Sequence, residues 1–341
     1  MTLERVTRTF LGLPDQNAIR DRLGGPIWQA VGPWAEHALI EPAREMAARP
    51  SKHFRAHLVR TGYNLIQGAV RPQDEDKLEA VAAAIELLHT GSLIIDDIQD
   101  QSPMRRGAAS LHRIYGIPGA LCAGNWLYFR PLTLIEQLNL PVERKHHAFK
   151  LYHEALELAH YGQALDLTVK IEQIERQQIP ATCEAIGELK TGAITALAMS
   201  IGALVADAPL HLIDTVGAFG RKFGTSLQEC DDVGSLTSEH ADPEKRYEDL
   251  LQGKASAVWS YVVRLFPDQV DAFERAVRSI PQDPRPIQEW LKKTEFAPLA
   301  FAAIRRSLAD AYTQLESSQG INQDALLYLK HMGDQLIDAY R

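Results

Sequence analysis

Apolar residues recur at helical spacing along most of this chain. The periodicity predicts helices over Gln73–Ile95, Val142–Gln173, Thr182–Ala206, Leu210–Glu229, Asp268–Ser279 and Gln288–Leu315. Long alternating strand patterns and hairpin dipeptides are scarce, so the pattern predicts an all-α fold. No short fixed repeat and no low-complexity linker divides the 341 residues, which read as one domain, 1–341. Residues 1–49, with Trp28 and Trp34, are expected to form N-terminal packing or dimer helices ahead of a core spanning 50–341. The most apolar long run, Ala193–Ala206, is about 14 residues; it is too short to span a bilayer and reads as a buried helix.

Two acidic clusters interrupt this pattern. The mostly apolar stretch Ile85–Ile95 runs into Asp96-Asp97-Ile98-Gln99-Asp100, and Arg105-Arg106-Gly107 follows closely. On a helix Asp96 and Asp100 stand one above the other, with Asp97 on the adjoining face. Three close carboxylates repel one another, and at the end of an apolar helix they need cations. The geometry suits Mg²⁺, which takes oxygen ligands and shares its remaining positions with water and phosphate. The two arginines offer forked donors to phosphate oxygens. Alone, such a run is as readily a solvated helix face. The second cluster, Gln228-Glu229-Cys230-Asp231-Asp232, repeats the pair of aspartates 135 positions after the first and also follows a helical stretch. Two such clusters facing across a cavity could hold several Mg²⁺ ions against one diphosphate.

Composition narrows the field. Hydrophobic content of 45% suffices for a large core, and the formal charge of −8 argues against nucleic acid as partner. Cys122, Cys183 and Cys230 lack ligand-like spacing and read as free thiols in a reducing compartment. The first residues carry no secretory pattern, so the expected location is cytoplasmic. Weaker signals join the acids: Lys52 and Arg55 three apart near a helix start, His89 within an apolar run, Gly162-Gln163 with Asp166, Lys190-Thr191-Gly192, and Asp249 through Gly253-Lys254. Each has an ordinary helix or loop role as the simpler reading when taken alone.

Together, in order and spacing, these motifs make the chain from about Pro50 onward resemble the trans-isoprenyl diphosphate synthases, most closely those making geranylgeranyl diphosphate. Glu86-Leu-Leu-His89, Ile114-Tyr-Gly-Ile-Pro118 and Ala123-Gly-Asn-Trp-Leu-Tyr-Phe129 belong to the same series. The resemblance implies an isoprenoid synthase bundle, terpene synthase-like, around a deep central cavity, usually a homodimer, with three Mg²⁺ ions per active site. It implies an allylic diphosphate held through Mg²⁺ on Asp96, Asp97, Asp100, Asp231 and Asp232, with help from Arg105, Lys190, Thr191, Gln228 and Lys254. It places isopentenyl diphosphate in a basic pocket of Lys52, Arg55, His89 and Arg106. The reaction implied is ionisation of the allylic C–O bond and attack by the isopentenyl double bond. Proton loss to the departed diphosphate then gives a linear prenyl diphosphate.

In such enzymes aromatics four and five positions before the first aspartate stop growth at fifteen carbons. Here Ser92 and Gly91 occupy those positions, so the expected product is geranylgeranyl diphosphate or longer. Tyr128, Phe129 and His160 are candidate floor residues that read equally well as core. The second motif departs from the usual pattern at Glu229, Cys230 and Ser235. Asp231, Ser235 and Glu239 also fit, at four-residue intervals, the metal motif of class I terpene synthases. Two other readings therefore stand beside elongation: a terpene synthase that ionises and cyclises a prenyl diphosphate, and a non-catalytic partner subunit of another synthase.

Overall fold

The computed structural model describes residues 16–238 and 246–340. The helices in chain order begin with α1 (Gln16–Leu23), α2 (Gly25–Ala35), α3 (Glu41–Ala48) and α4 (Phe54–Gln67). Next come α5 (Glu75–Gln99), α6 (Gly116–Gln137), α7 (Val142–Thr168), α8 (Ile179–Gly187), α9 (Ala193–Val205) and α10 (Leu210–Thr237). The last group is α11 (Ala257–Leu265), α12 (Val270–Ser279), α13 (Arg285–Thr294), α14 (Phe296–Glu316) and α15 (Gln323–Asp338).

The long helices pack side by side, α5 against α6 and α9 between α4 and α10. Helix α5 starts behind the turn at Pro72, with Glu75 and Asp76 complementing its N-terminal dipole. It is apolar nearly all round and buries Leu78, Val81, Ile85 and Leu88, as a central helix must. Its acidic C-terminal end therefore emerges from the interior at one end of the bundle. Helix α9 buries every residue from Ala193 to Val205.

The stretch 176–205 is helical throughout, so it reaches spanning length although its most apolar part does not. The most apolar 18 residues of this stretch and of 72–99 are 78% and 72% buried within the protein, which makes both core helices here.

Three expectations from periodicity are corrected. The predicted helix Gln288–Leu315 is two helices, α13 and α14, broken at Glu295 with φ +52°. Pro298 accounts for the break, because in a continuous helix its ring would meet the carbonyl of Thr294. The helix predicted to Gln173 ends at Thr168, and Ile171–Gln173 is a 3-10 turn. A hairpin also exists: β1 (Met104–Arg105) pairs antiparallel with β2 (Ala108–Ala109), turning on Arg106 and Gly107 at φ +50° and +81°. Positive φ at both turn residues is the two-residue geometry that matches strand twist. Arginine is a rare occupant of it, which explains why no dipeptide signalled the hairpin.

Candidate active site

The first acidic motif lies at the C-terminal end of α5, where the helix dipole disfavours negative charge. Cations from three other segments meet it. Arg105 donates from Nε to Asp97 Oδ1 at 2.7 Å and stands 3.5 Å from Asp96. Lys190 binds Asp166 at 2.6 Å and lies 3.6 Å from Asp96. Lys254 sits 3.8 Å from Asp100 and 3.6 Å from Asp249. Gln163 donates to Asp96 at 3.0 Å and to Gln99 at 2.8 Å. Burial pushes Asp97 and Asp100 up from the usual carboxylate range, against the pull of Arg105 and Lys254.

Lys190 owes its position to a π-helical turn, Glu188–Gly192, inserted between α8 and α9. Such a bulge re-aims side chains within a helix. Gly162 permits α7 to approach it, since a Cβ there would lie 2.3 Å from the Lys190 nitrogen.

The second motif, on α10, faces the same space. Asp231 is raised by loss of solvation and by Asp249. Asp232 is raised to about 7 by burial and then by Asp249. Both Asp232 oxygens are engaged: one accepts from Gln228 at 2.9 Å, the other from the backbone N–H of Ala257, the first residue of α11, at 2.8 Å. Thr191 donates to Gln228 at 2.9 Å, which fixes the orientation of that amide. A cavity of about 120 Å³ is lined by Asp166, Lys190, Thr191, Gln228, Asp232 and Lys254, among others. Ser235 donates back to the Asp232 carbonyl at 3.0 Å, and Glu239 lies outside the described residues.

Carboxylates outnumber cations around this crevice, and burial and mutual repulsion raise several of them. A set of hard oxygen donors under that strain fits divalent cations. Among the described residues no three histidine, cysteine or acidic side chains close on a single cation-sized point. The acids of the first motif turn instead toward Arg105, Lys190 and Lys254.

On the other face of the hairpin is a basic pocket. Arg55 donates to His89 Nε2 at 2.8 Å, and its Nε has no hydrogen-bond partner. Burial, with help from Arg106, pulls Arg55 down to about 10. Burial first, then Arg55 and Arg106, holds His89 well below its ordinary value. A neutral imidazole that accepts at Nε2 carries its proton on Nδ1. Arg106 is lowered by burial and by Arg105 and Arg49, while Glu86 opposes this. Glu86, 5% exposed, accepts from the Ala56 N–H at 3.0 Å and so satisfies a free amide in the first turn of α4. Lys52 is exposed, two residues before the start of α4.

The chain-length positions behave differently from one another. Ser92 is half-buried and bonds back to the His89 carbonyl at 2.8 Å. Gly91 is pressed against α6: a Cβ there would lie 2.8 Å from the Leu127 Cβ and 2.9 Å from the Gly124 carbonyl oxygen. Its small size serves a close helix crossing and opens no space, which corrects the reading of Gly91 as an open position. Tyr128 meets His160 edge-on at 5.2 Å and is raised to about 12 by burial and by Asp96. Phe129 is 65% exposed on the outer face of α6, away from the core.

Two residues with structural roles escaped the sequence reading. Tyr340 packs on α10 at Gly234, within electrostatic reach of Asp231 and Arg55. Arg49 grips the hairpin backbone. No motif contains either.

An all-α bundle whose helices bring two aspartate motifs to one crevice, beside a basic pocket, has the architecture of the prenyl synthases. Residues 36–294 match the polyprenyl synthetase family, and the chain belongs to it. A geranylgeranyl pyrophosphate synthase of Eremothecium gossypii is 30% identical over 239 residues, covering 69% of this chain and 71% of that protein. Preasperterpenoid A synthase of Talaromyces verruculosus is 32% identical over 243 residues, 69% of this chain but only 29% of that longer protein. In fold the chain is similar to geranylgeranyl pyrophosphate synthetase of Pyrococcus horikoshii, with TM-score 0.72, 22% identity and coverage of 98% and 97%.

Proposed function

We propose that the chain is a single-domain, Mg²⁺-dependent trans-prenyltransferase. It would condense isopentenyl diphosphate with an allylic diphosphate into a linear prenyl diphosphate of geranylgeranyl length or longer. The observation that carries this reading is the second anion pocket of Arg55, His89 and Arg106, separate from the acid-rich crevice. A cyclase acting on one diphosphate has no need of it. The intact acidic motif, with Asp96, Asp97 and Asp100 beside Arg105 and Lys190, speaks against a purely structural subunit.

Asp96, Asp97 and Asp100 on one side and Asp231 and Asp232 on the other would hold Mg²⁺. When bound there, the metal supplies positive charge to a departing diphosphate. Arg105, Lys190 and Lys254 add fixed donors for its oxygens, and Thr191 and Gln228 complete the cradle. The basic pocket orients the second diphosphate so that its double bond faces the ionising carbon. Apolar helix faces exclude water that would quench the cation. The released diphosphate takes the proton, and no side-chain nucleophile is required.

A homodimer formed through α6 and α7 is part of the proposal. It is supported by exposed Phe129 and Tyr161, 65% and 68% accessible, beside Leu156 and Ala164. A cytoplasmic location is supported by three free thiols.

Product analysis by mass spectrometry tests the reading. The purified protein with Mg²⁺ receives isopentenyl diphosphate plus dimethylallyl, geranyl or farnesyl diphosphate, and geranylgeranyl diphosphate alone in parallel. Longer linear diphosphates, detected as alcohols only after phosphatase treatment, are expected. A hydrocarbon or cyclic alcohol made without isopentenyl diphosphate would replace the proposal with cyclisation. No diphosphate release from any substrate would leave the binding-subunit reading.

A further inference from the structure

Besides His89 on α5, the basic pocket draws on two pieces of chain distant in sequence. One is the segment from Lys52 to Arg55 that opens α4. The other is the 104–109 hairpin bearing Arg106 at its turn. A two-stranded ribbon of two residues per strand has little stability of its own, and its arginine turn is held at positive φ. Something must keep it in place.

Arg49 lies where the two pieces meet. It ends α3 in an extended conformation (φ −68°, ψ 149°), as expected of a residue before proline. That conformation turns its side chain out of the helix. The side chain is 5% exposed. Its guanidinium donates to the Arg105 carbonyl at 2.8 Å and to the Ala109 carbonyl at 2.8 Å, one acceptor on each strand. Two more of its N–H groups, on Nε and Nη2, meet Glu45, one turn back on α3, at 3.0 Å to each carboxylate oxygen. A planar fork satisfied on both edges is a rigid strut, and lysine cannot reproduce it. Three residues further along the backbone stands Lys52.

We propose that Arg49 is a positioning residue for the isopentenyl diphosphate pocket. It clamps the hairpin so that Arg106 is held opposite Arg55 and His89. This rests on the elongation reading for the identity of the ligand, but the clamp itself does not. Arg105 has a separate anchor in Asp97, so loss of the clamp falls on Arg106 and spares the allylic side.

The test uses the full-length protein and three variants, Arg49→Met, Arg49→Lys and Arg106→Ala, with steady-state kinetics and limited trypsin digestion at the Arg105 and Arg106 bonds. Arg49→Met is expected to raise KM for isopentenyl diphosphate about tenfold or more and to leave KM for farnesyl diphosphate within about twofold. Cleavage at the hairpin is expected to accelerate by a similar factor. Arg49→Lys should recover only part of both effects. Unchanged KM and unchanged cleavage in Arg49→Met would overturn the clamp, as would equal losses for both substrates. If Arg49→Met fails to fold, Glu45→Gln, which loosens the same strut, is read by the same two measurements. If Arg106→Ala leaves KM for isopentenyl diphosphate untouched, the pocket assignment fails instead, and the trypsin result still decides whether Arg49 holds the hairpin.

Discussion

The acid-rich crevice and the basic pocket share the hairpin and the end of α5, yet they handle charge in opposite ways. In the crevice each acid of the first motif leans on a cation from elsewhere: Asp97 on Arg105, Asp96 on Lys190, Asp100 on Lys254. In the pocket Arg106 crowds Arg55, with Glu86 the buried carboxylate that opposes both, while Arg49 beside Arg106 is paired with Glu45. Neighbouring residues divide the work, Arg105 facing the acids and Arg106 the other guanidiniums. The difference teaches what each region lacks. The crevice has surplus negative charge and is suited to metal, while the pocket has surplus positive charge and is suited to an anion.

Breaking the crevice should do the most damage. Asp96→Ala or Asp97→Ala is expected to lower turnover by about 10³-fold or more with helix content unchanged by circular dichroism. Near-normal turnover would remove these residues from the site. Breaking the pocket should be milder and selective. Arg55→Leu is expected to raise KM for isopentenyl diphosphate by about 10- to 100-fold, while binding of the allylic substrate, followed by calorimetry, changes little. A loss spread equally over both substrates would mean that the two regions are not separate.

Two substitutions on α5, between the regions, sharpen the picture. Ser92→Phe should shorten the product by at least one five-carbon unit in the same mass-spectrometric assay; an unchanged length puts the limit elsewhere. Gly91→Ala should cost about 1–3 kcal/mol in urea unfolding, because its methyl group meets Leu127 and the Gly124 carbonyl. No loss of stability would show that the crossing relaxes freely.

The smallest effect is a pH dependence. His89 in the folded protein titrates well below its unfolded value of about 6.5. The unfolded chain therefore takes up this proton first. The associated stability is present above about pH 6.5 and is lost as pH falls toward the folded value. His89→Gln should flatten that part of the stability curve between pH 6.5 and 5, and an unaltered slope would place the titration on another group.

Much of this was legible in one dimension. A helix as largely apolar as Leu78 to Ile94 belongs in the interior, so the acids at its end must meet a cavity or the bundle mouth. The recurrence of the aspartate pair on a second helix, with the basic residues in family order, indicated one shared site. These are local or ordered features, and spacing carries them.

Other features depended on the tertiary structure. The π-turn that aims Lys190, the contact of Gly91 with α6, and the use of Asp232 to receive the first amide of α11 all arise where one helix meets another. So does the grip of Arg49 on two carbonyls more than fifty residues away. Its acceptors are backbone atoms, which every residue possesses, so no pattern of side chains could have announced them. The sequence alone determined that the chain is helical and which chemistry its acidic and basic motifs carry. Only packing decided which neighbour each side chain touches, because that depends on distances between segments that the order of residues does not contain.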